Sequence, residues 1–220
     1  MKKTEKVENV ETKKEEHVAV GAIDIRTMGL ILKGTSSLIS HKFSKRSSDA
    51  MLAKQMKTAA AKPGREAKNP EQDYLDSLYV LKDGRYGFPL SGFKNAAVDA
   101  AAFMDGMKKT MMRGSFHLVD TTGEDLAVVE GVPQMREDNV RVGMGTADIR
   151  FRGEYPAGWR VALTIRYNAS AISPGQIVQL FNSAGFGIGV GDWRPQKDGS
   201  HGMFEVDTKQ MNEVSLNGSS

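Results

Sequence analysis

Apolar positions along the chain change spacing several times, and each change marks a predicted element. Val18, Val20, Ala22, Ile23 and Ile25, then Leu30, Ile31 and Leu32, are mostly β-branched and partly alternating, which predicts a long first strand interrupted near Thr27, Met28 and Gly29. From Gly34 to about Arg85 the pattern loosens into serine, lysine and small residues, punctuated by Lys62-Pro63-Gly64 and Asn69-Pro70. This stretch reads as an insertion over about 34–86, with helical pieces over 49–61 and 70–78; Asn69 is the N-cap of the second and Pro70 its first residue. A run of alanine, methionine and lysine after Ser91 predicts one long helix over 91–113, closed by a left-handed Gly114 and burying Val98, Ala101, Ala102 and Met112. Strands follow over 115–119, 126–130, 140–142, 148–152 and 160–167. Ser173-Pro174-Gly175-Gln176 is the sharpest helix start, a capping box ahead of Ile177, Val178, Leu180 and Phe181 at helical spacing. A glycine-rich segment follows Ala184, and 203–206 forms a last strand.

Without the insertion and hairpin strands the order is β-α-β-β-α-β, which predicts an α+β fold: a ferredoxin-like, RRM-like βαββαβ core with a large basic insertion after the first strand and a hairpin insertion. Residues 1–16 carry five lysines and five glutamates and read as a mobile charged arm, or as a short amphipathic helix used by a neighbour. Residues 17–208 form the single predicted domain, and 209–220 a polar tail.

Composition narrows the function classes. At 220 residues, 40% hydrophobic and 26% charged, the chain can bury a core, which excludes a wholly disordered protein. No apolar run approaches a membrane span and no signal segment follows the first lysines, so the expectation is a soluble, cytoplasmic protein without a membrane partner. The absence of cysteine removes disulfides, thiol nucleophiles and thiolate metal sites. His17, His41, His117 and His201 lack metal-ligand spacing, and neither a Gly-x-Ser-x-Gly elbow nor a phosphate loop ending in Gly-Lys-Ser/Thr occurs. No metal, cofactor or catalytic residue is therefore predicted.

A formal charge of +3 understates how unevenly charge is placed. Between Arg26 and Lys68 lie ten basic side chains (Arg26, Lys33, Lys42, Lys45, Arg46, Lys54, Lys57, Lys62, Arg65 and Lys68) and two acidic ones, Asp49 and Glu66. A polyanion responds to that local field, and each neutralised phosphate releases counterions whatever its base. A solvated flexible loop is the alternative reading. The acidic cluster Asp120, Glu124, Asp125, Glu130, Glu137 and Asp138 reads as solvated hairpin edges.

Glycine occupies every second position from 185 to 191, ahead of Asp192-Trp193-Arg194. In an extended segment this strips one face of side chains, so Gly187 and Gly189 become candidates to cradle phosphates through their amides. A tight connector beneath Phe186 and Trp193 is the competing reading. Tyr86-Gly87-Phe88-Pro89-Leu90-Ser91-Gly92-Phe93-Lys94-Asn95-Ala96 reads as a turn followed by a helix N-terminus, with Ser91 and Lys94 at a ready anion site.

Pro89-x-Ser91 with Phe93-Lys94-x-Ala96 resembles the start of the first helix in the RAMP superfamily, which includes the backbone subunits that line guide RNA in CRISPR effector complexes. The glycine-rich segment after the second helix resembles that superfamily's other hallmark, and the strand order agrees. Phe93 replaces the usual aliphatic residue, and Gly191-Asp192-Trp193-Arg194-Pro195 stands where basic residues are common. These departures and the short chain fit a phage-encoded relative better than a CRISPR component, which would place it in the host cytoplasm.

The sequence thus predicts a non-enzymatic protein that binds single-stranded RNA or DNA by its phosphates and assembles head to tail as a homo-oligomer or filament. The candidate contacts are Lys42, Lys45, Arg46, Lys54, Lys57, Ser91, Lys94, Gly187, Gly189, Trp193 and Arg194, with Trp193 the stacking residue. The other readings are an assembly protein without nucleic acid, as in a virion, and an RNA nuclease. For the nuclease, the RAMP resemblance points to His41 and Asp49.

Overall fold

The computed structural model describes residues 23–56, 67–142 and 146–208. β1 (Ile25–Gly34) pairs antiparallel with β9 (Arg160–Asn168) over its whole length, from Ile25 opposite Asn168 to Lys33 opposite Arg160. β10 (Phe204–Val206) takes the other edge of β1. β5 (Phe116–Val119) and β6 (Leu126–Glu130) follow one another along the far edge of β9, and β6 leads to β4 (Tyr86–Pro89) and β3 (Tyr79–Val80). With α3 (Leu90–Ala100) after β4 and α5 (Pro174–Gly187) after β9, the succession β1, α3, β5, β9, α5, β10 has spatial order β10-β1-β9-β5. This is the ferredoxin-like α+β core that the chain order predicts.

Alternation along the strands decides which face the helices cover. In β9, Val161, Leu163, Ile165 and Tyr167 are buried and alternate with Arg160, Ala162, Thr164, Arg166 and Asn168. The buried set joins Leu30 and Leu32 of β1, Phe93 and Ala97 of α3, and Ile177, Leu180 and Phe181 of α5 in one core. The opposite face of β1 and β9 carries no aromatic side chain, because the cross-strand pairs there are Thr27 with Arg166, Gly29 with Thr164, Ile31 with Ala162 and Lys33 with Arg160.

A second sheet, ordered β2 (Leu38–Ser40), β8 (Thr146–Tyr155) and β7 (Gln134–Val142), shares that core through Leu38 and Tyr155. α2 (Pro70–Asp76) lies on β8. The Gly153 amide donates to the Ser77 hydroxyl at 2.8 Å, and the Ser40 hydroxyl donates to the Ser77 carbonyl at 2.8 Å. α1 (Lys45–Gln55) stands outside the core, with Met51 and Leu52 exposed.

Several predicted elements keep their place, among them strands β6 and β9 and α5, whose Ser173 and Gln176 form the expected capping box, while the hairpin strands predicted over 140–142 and 148–152 extend to 134–142 and 146–155. Others change. The helix predicted over 91–113 begins at Leu90, ends as α3 at Ala100, passes through a 3₁₀ turn at Ala101–Phe103 and resumes as α4 (Lys109–Ser115). The break falls at Gly106, whose φ is 76°, while Gly114 stays inside α4 and Ala102 is exposed. Gly185 and Gly187 belong to α5 and are not part of an extended ladder. A Cβ on Gly185 would lie 1.8 Å from the Phe204 carbonyl oxygen, so this glycine lets β10 pass directly against the helix. β2 and β3 occupy what reads in the sequence as a loose insertion, and β4 occupies what reads as a turn ahead of the first helix. The described part of the helix predicted over 49–61 starts at Lys45; its end, the start of the first strand before Ile23, and both chain termini lie outside the described residues.

Candidate nucleic-acid interface

Helical spacing sets the first wall of the site. β4 runs straight into α3 through Pro89, no side chain caps the helix start, and the Leu90 amide donates to the Asp125 carbonyl at 3.0 Å. Ser91, Asn95 and Asp99 recur every four residues on one side of α3 and line a cavity of about 310 Å³. The Ser91 hydroxyl and the Asn95 amide have no hydrogen-bond partner among the described residues. Lys94 lies elsewhere on the helix. Its ammonium sits 3.5 Å from the centre of the Phe116 ring and donates to the Phe116 carbonyl, and burial pushes it down to about 8.

The second wall is the turn after α5. The Ile188 and Gly189 amides close the helix on the Ala184 carbonyl at 3.0 and 2.8 Å, and Gly189 and Gly191 take φ of 69° and 80°. A Cβ on Gly191 would lie 2.5 Å from the Ile39 carbonyl oxygen, so the turn rests directly on β2. Past it, the Arg194 guanidinium donates to Gln196 Oε1 and the Gly191 carbonyl, and the Gln196 amide donates to Asp99, which Lys109 also holds. The hydrogen bond from Lys109 is the main reason that the Asp99 carboxyl stays below the usual carboxylate range.

Docking the turn on β2 brings together residues far apart in sequence. His41 Nδ1 lies 2.8 Å from Asp192 Oδ2, and the Arg152 guanidinium donates to the same carboxylate and to Asp138. Burial pushes the Asp192 carboxyl up, but the hydrogen bond and charge of His41 and the Arg152 guanidinium outweigh it and hold the group below its usual value. An ionised carboxylate only accepts, so the Nδ1 proton belongs to His41 and its Nε2 remains free. Arg152 is 2% exposed and belongs to a chain in which Arg136 bridges Asp138 and Glu154.

His41 also borders a second cavity, of about 380 Å³, between α2, β8 and the segment entering α1. Lys42, Lys68 and Arg150 line it, opposite Asp73, Asp76 and Asp148. Lys68 is paired with Asp148, whereas Lys42 and Arg150 have no ion-pair partner among the described residues. A third cavity shares Lys42, Phe43, Ser44 and Asp76 with the second. The first two share His41 in their lining and the last two share Lys42, and the three neighbouring cavities are referred to below as the groove.

Of the residues selected from sequence, Ser91, Gly189 and Arg194 meet in the first cavity and Lys42 in the second. Lys45 and Arg46 are in the first turn of α1, and Lys54 is exposed in its last. Lys57 is outside the described residues. Gly187 packs on Phe103 within α5. Trp193 is not in the groove: its ring lies 5.1 and 5.4 Å from the Arg152 and Arg136 guanidinium carbons, on the β7 and β8 side. Asp49 is exposed on α1 and borders none of the three cavities. Asn95, Arg150 and Arg152 were not anticipated. The Asp120 carboxylate is fully used by its own turn, accepting from the amides of Asp125, Thr122 and Gly123, which lower it to about 2. Among the described residues no group of His, Asp and Glu is placed to hold a metal ion, and no helix is long and apolar enough to cross a membrane.

No protein-family model and no curated protein matches the sequence. Among solved structures, the crystal structure of Cmr6 from Pyrococcus furiosus is similar at a TM-score of 0.41 and 10% identity, covering 82% of this chain and 97% of that one. A likeness of that degree concerns the course of the chain, and nothing about ligand or partner is drawn from it.

Proposed function

We propose that the protein binds single-stranded nucleic acid, RNA in particular, along the groove from the α3 start past His41 to Lys42 and Arg150. The observation that carries this reading is the adjacency of two cavities that share His41: one walled by a helix start and a glycine turn, the other lined by two cations without an ion-pair partner among the described residues. Unpaired cations can exchange condensed counterions for phosphates, whereas Arg152, already bound to two carboxylates, cannot without breaking a buried pair. The start of α3 also carries the motif that resembles the first helix of RAMP proteins. The open face of β1 and β9 lacks the aromatic side chains with which an RRM sheet stacks bases, so the groove is the better candidate.

Assembly of several copies along one strand is part of this reading. Phe103 and Phe186, 63% and 77% exposed, offer an apolar surface for a neighbour away from the groove. Size-exclusion chromatography with absorbance at 260 and 280 nm, before and after nuclease treatment, tests both parts. Co-purifying nucleic acid, with assemblies that shorten when it is digested, is the expected result. Assemblies free of nucleic acid would replace this reading with the structural one.

A second reading has one observation in its favour. His41 Nε2 has no hydrogen-bond partner among the described residues while Asp192 fixes the ring through Nδ1, so the ring in its neutral form would suit a general base without a metal. It would take the proton of a ribose 2′-hydroxyl as that oxygen attacks the adjacent phosphorus, and the leaving 5′-oxygen would take a proton from water. A 2′,3′-cyclic phosphate and a 5′-hydroxyl would result. Cleavage of RNA but not DNA, lost in His41→Ala, would promote this reading over simple binding.

A further inference from the structure

We propose that the cavity between α3 and the glycine turn takes a single unpaired nucleobase, adenine best, while the phosphates lie outside it beside Lys42 and Arg150. This rests on the nucleic-acid reading above and deepens it. Among the polar groups around the cavity, Arg194 is held by Gln196 and the Gly191 carbonyl, Gln196 by Asp99, Asp99 by Lys109, and Asp192 by His41 and Arg152. The Ser91 hydroxyl, the Asn95 amide and His41 Nε2 keep free hydrogen-bonding capacity.

A phosphate does not suit that set. The cavity's arginine is occupied and two carboxylates border the space, so an anion entering it would meet like charge. A neutral heterocycle suits it well. Tyr79, Phe88 and Pro89 give an apolar wall, and the cavity's size lies at the lower end of the roughly 300–1,000 Å³ of small-molecule sites. Asn95 presents one donor and one acceptor side by side, which matches the N6 amino group and N7 of adenine. Adenine is the one base with a donor beside an acceptor on that edge; cytosine and uracil offer such a pair only on the Watson–Crick edge, and on a smaller ring that covers less of the apolar wall. Guanine presents two acceptors at O6 and N7, for which an arginine is the fitting partner, and here Arg194 is engaged.

The test is fluorescence anisotropy with labelled RNA homopolymers of equal length, using the full chain and its Asn95→Ala and Ser91→Ala variants. Asn95 is exposed, so its truncation leaves the fold intact, and an unchanged melting temperature verifies this. The expected result is about tenfold tighter binding of oligo(A) than of oligo(U) or oligo(C). Asn95→Ala should lower the affinity for oligo(A) to that for oligo(U), while the salt dependence, which reads the phosphate contacts outside the cavity, stays unchanged. Equal binding of all homopolymers by the native protein overturns the proposal, as does an adenine preference that survives Asn95→Ala. Both outcomes leave the nucleic-acid reading standing. Failure to bind any homopolymer at low salt removes that reading and this one together.

Discussion

The glycine-turn wall and the basic side of the groove are built in opposite ways. The glycine-turn wall is fixed by backbone contact: Gly185 lies against the Phe204 carbonyl, Gly191 against the Ile39 carbonyl, and the Asp192 amide donates to Ile39 at 3.1 Å. The basic wall is held through its main chain only: the Lys42 amide donates to the Ser77 carbonyl at 2.9 Å and Arg150 lies on β8, but neither side chain has an ion-pair partner among the described residues. One wall tolerates no added atom, while the other tolerates almost any side chain but relies on its charge. A methyl group should therefore break the first by unfolding it, and removal of a charge should break the second with little effect on stability.

The largest expected effect is on the rigid wall. Gly185→Ala forces a methyl into a backbone carbonyl, and thermal or chemical denaturation should show a loss of about 3 kcal/mol or more. Arg152→Met comes next. It leaves Asp138, 6% exposed, dependent on Arg136 alone and Asp192 on His41 alone, and a loss of about 3 kcal/mol is expected. Retention of native stability in the first variant would mean that β10 does not press on α5 in this way, and in the second that Arg152 does not hold the turn through Asp192.

Charge changes on the loose wall sharpen the contrast. Lys42→Gln and Arg150→Gln should each shift unfolding by less than about 0.5 kcal/mol. Each should weaken single-strand binding by about tenfold at low salt and flatten its salt dependence. The smallest effect concerns Lys94, which lies away from the groove. Its folded-state value of about 8 is below the ordinary lysine value, so from about pH 8 to 10 the unfolded chain binds more protons and stability rises with pH. Lys94→Met should abolish that rise in pH-dependent denaturation and leave nucleic-acid affinity unchanged.

Local chemistry was legible in the sequence where it acts within a few residues. The Ser173 and Gln176 capping box and the β-branched run of β9 specify their elements with nearest neighbours alone. The helix break shows the limit of that reading. Asp105-Gly106 is a turn signal inside the alanine and methionine run, yet summed helix propensity conceals it, and Gly114 draws the boundary eight residues too late. Gly185 and Gly187 read as an extended ladder because nothing nearby reveals that β10 will press against that turn of helix. β2 is three residues long and fully buried, too short for any periodicity to show. The groove itself depends on long-range pairing, with His41 and Asp192 separated by 151 residues and Arg152 supplied by a third element. Ser91, Gly189, Arg194 and Lys42 could be selected by type and local setting. That Lys94 and Trp193 lie elsewhere was decided by packing on Phe116 and on the arginines of β7 and β8.

The most direct measurement is the affinity of a labelled single-stranded RNA for three proteins: the native chain, Lys42→Glu combined with Arg150→Glu in the groove, and Arg166→Glu on the open sheet face. Titrations between about 50 and 200 mM salt should show steeply salt-dependent binding by the native chain, a large loss and a shallower slope for the groove variant, and native behaviour for Arg166→Glu. Loss of binding in Arg166→Glu with the groove variant unaffected, or no binding by the native chain at the lowest salt, would contradict the placement of nucleic acid in this groove.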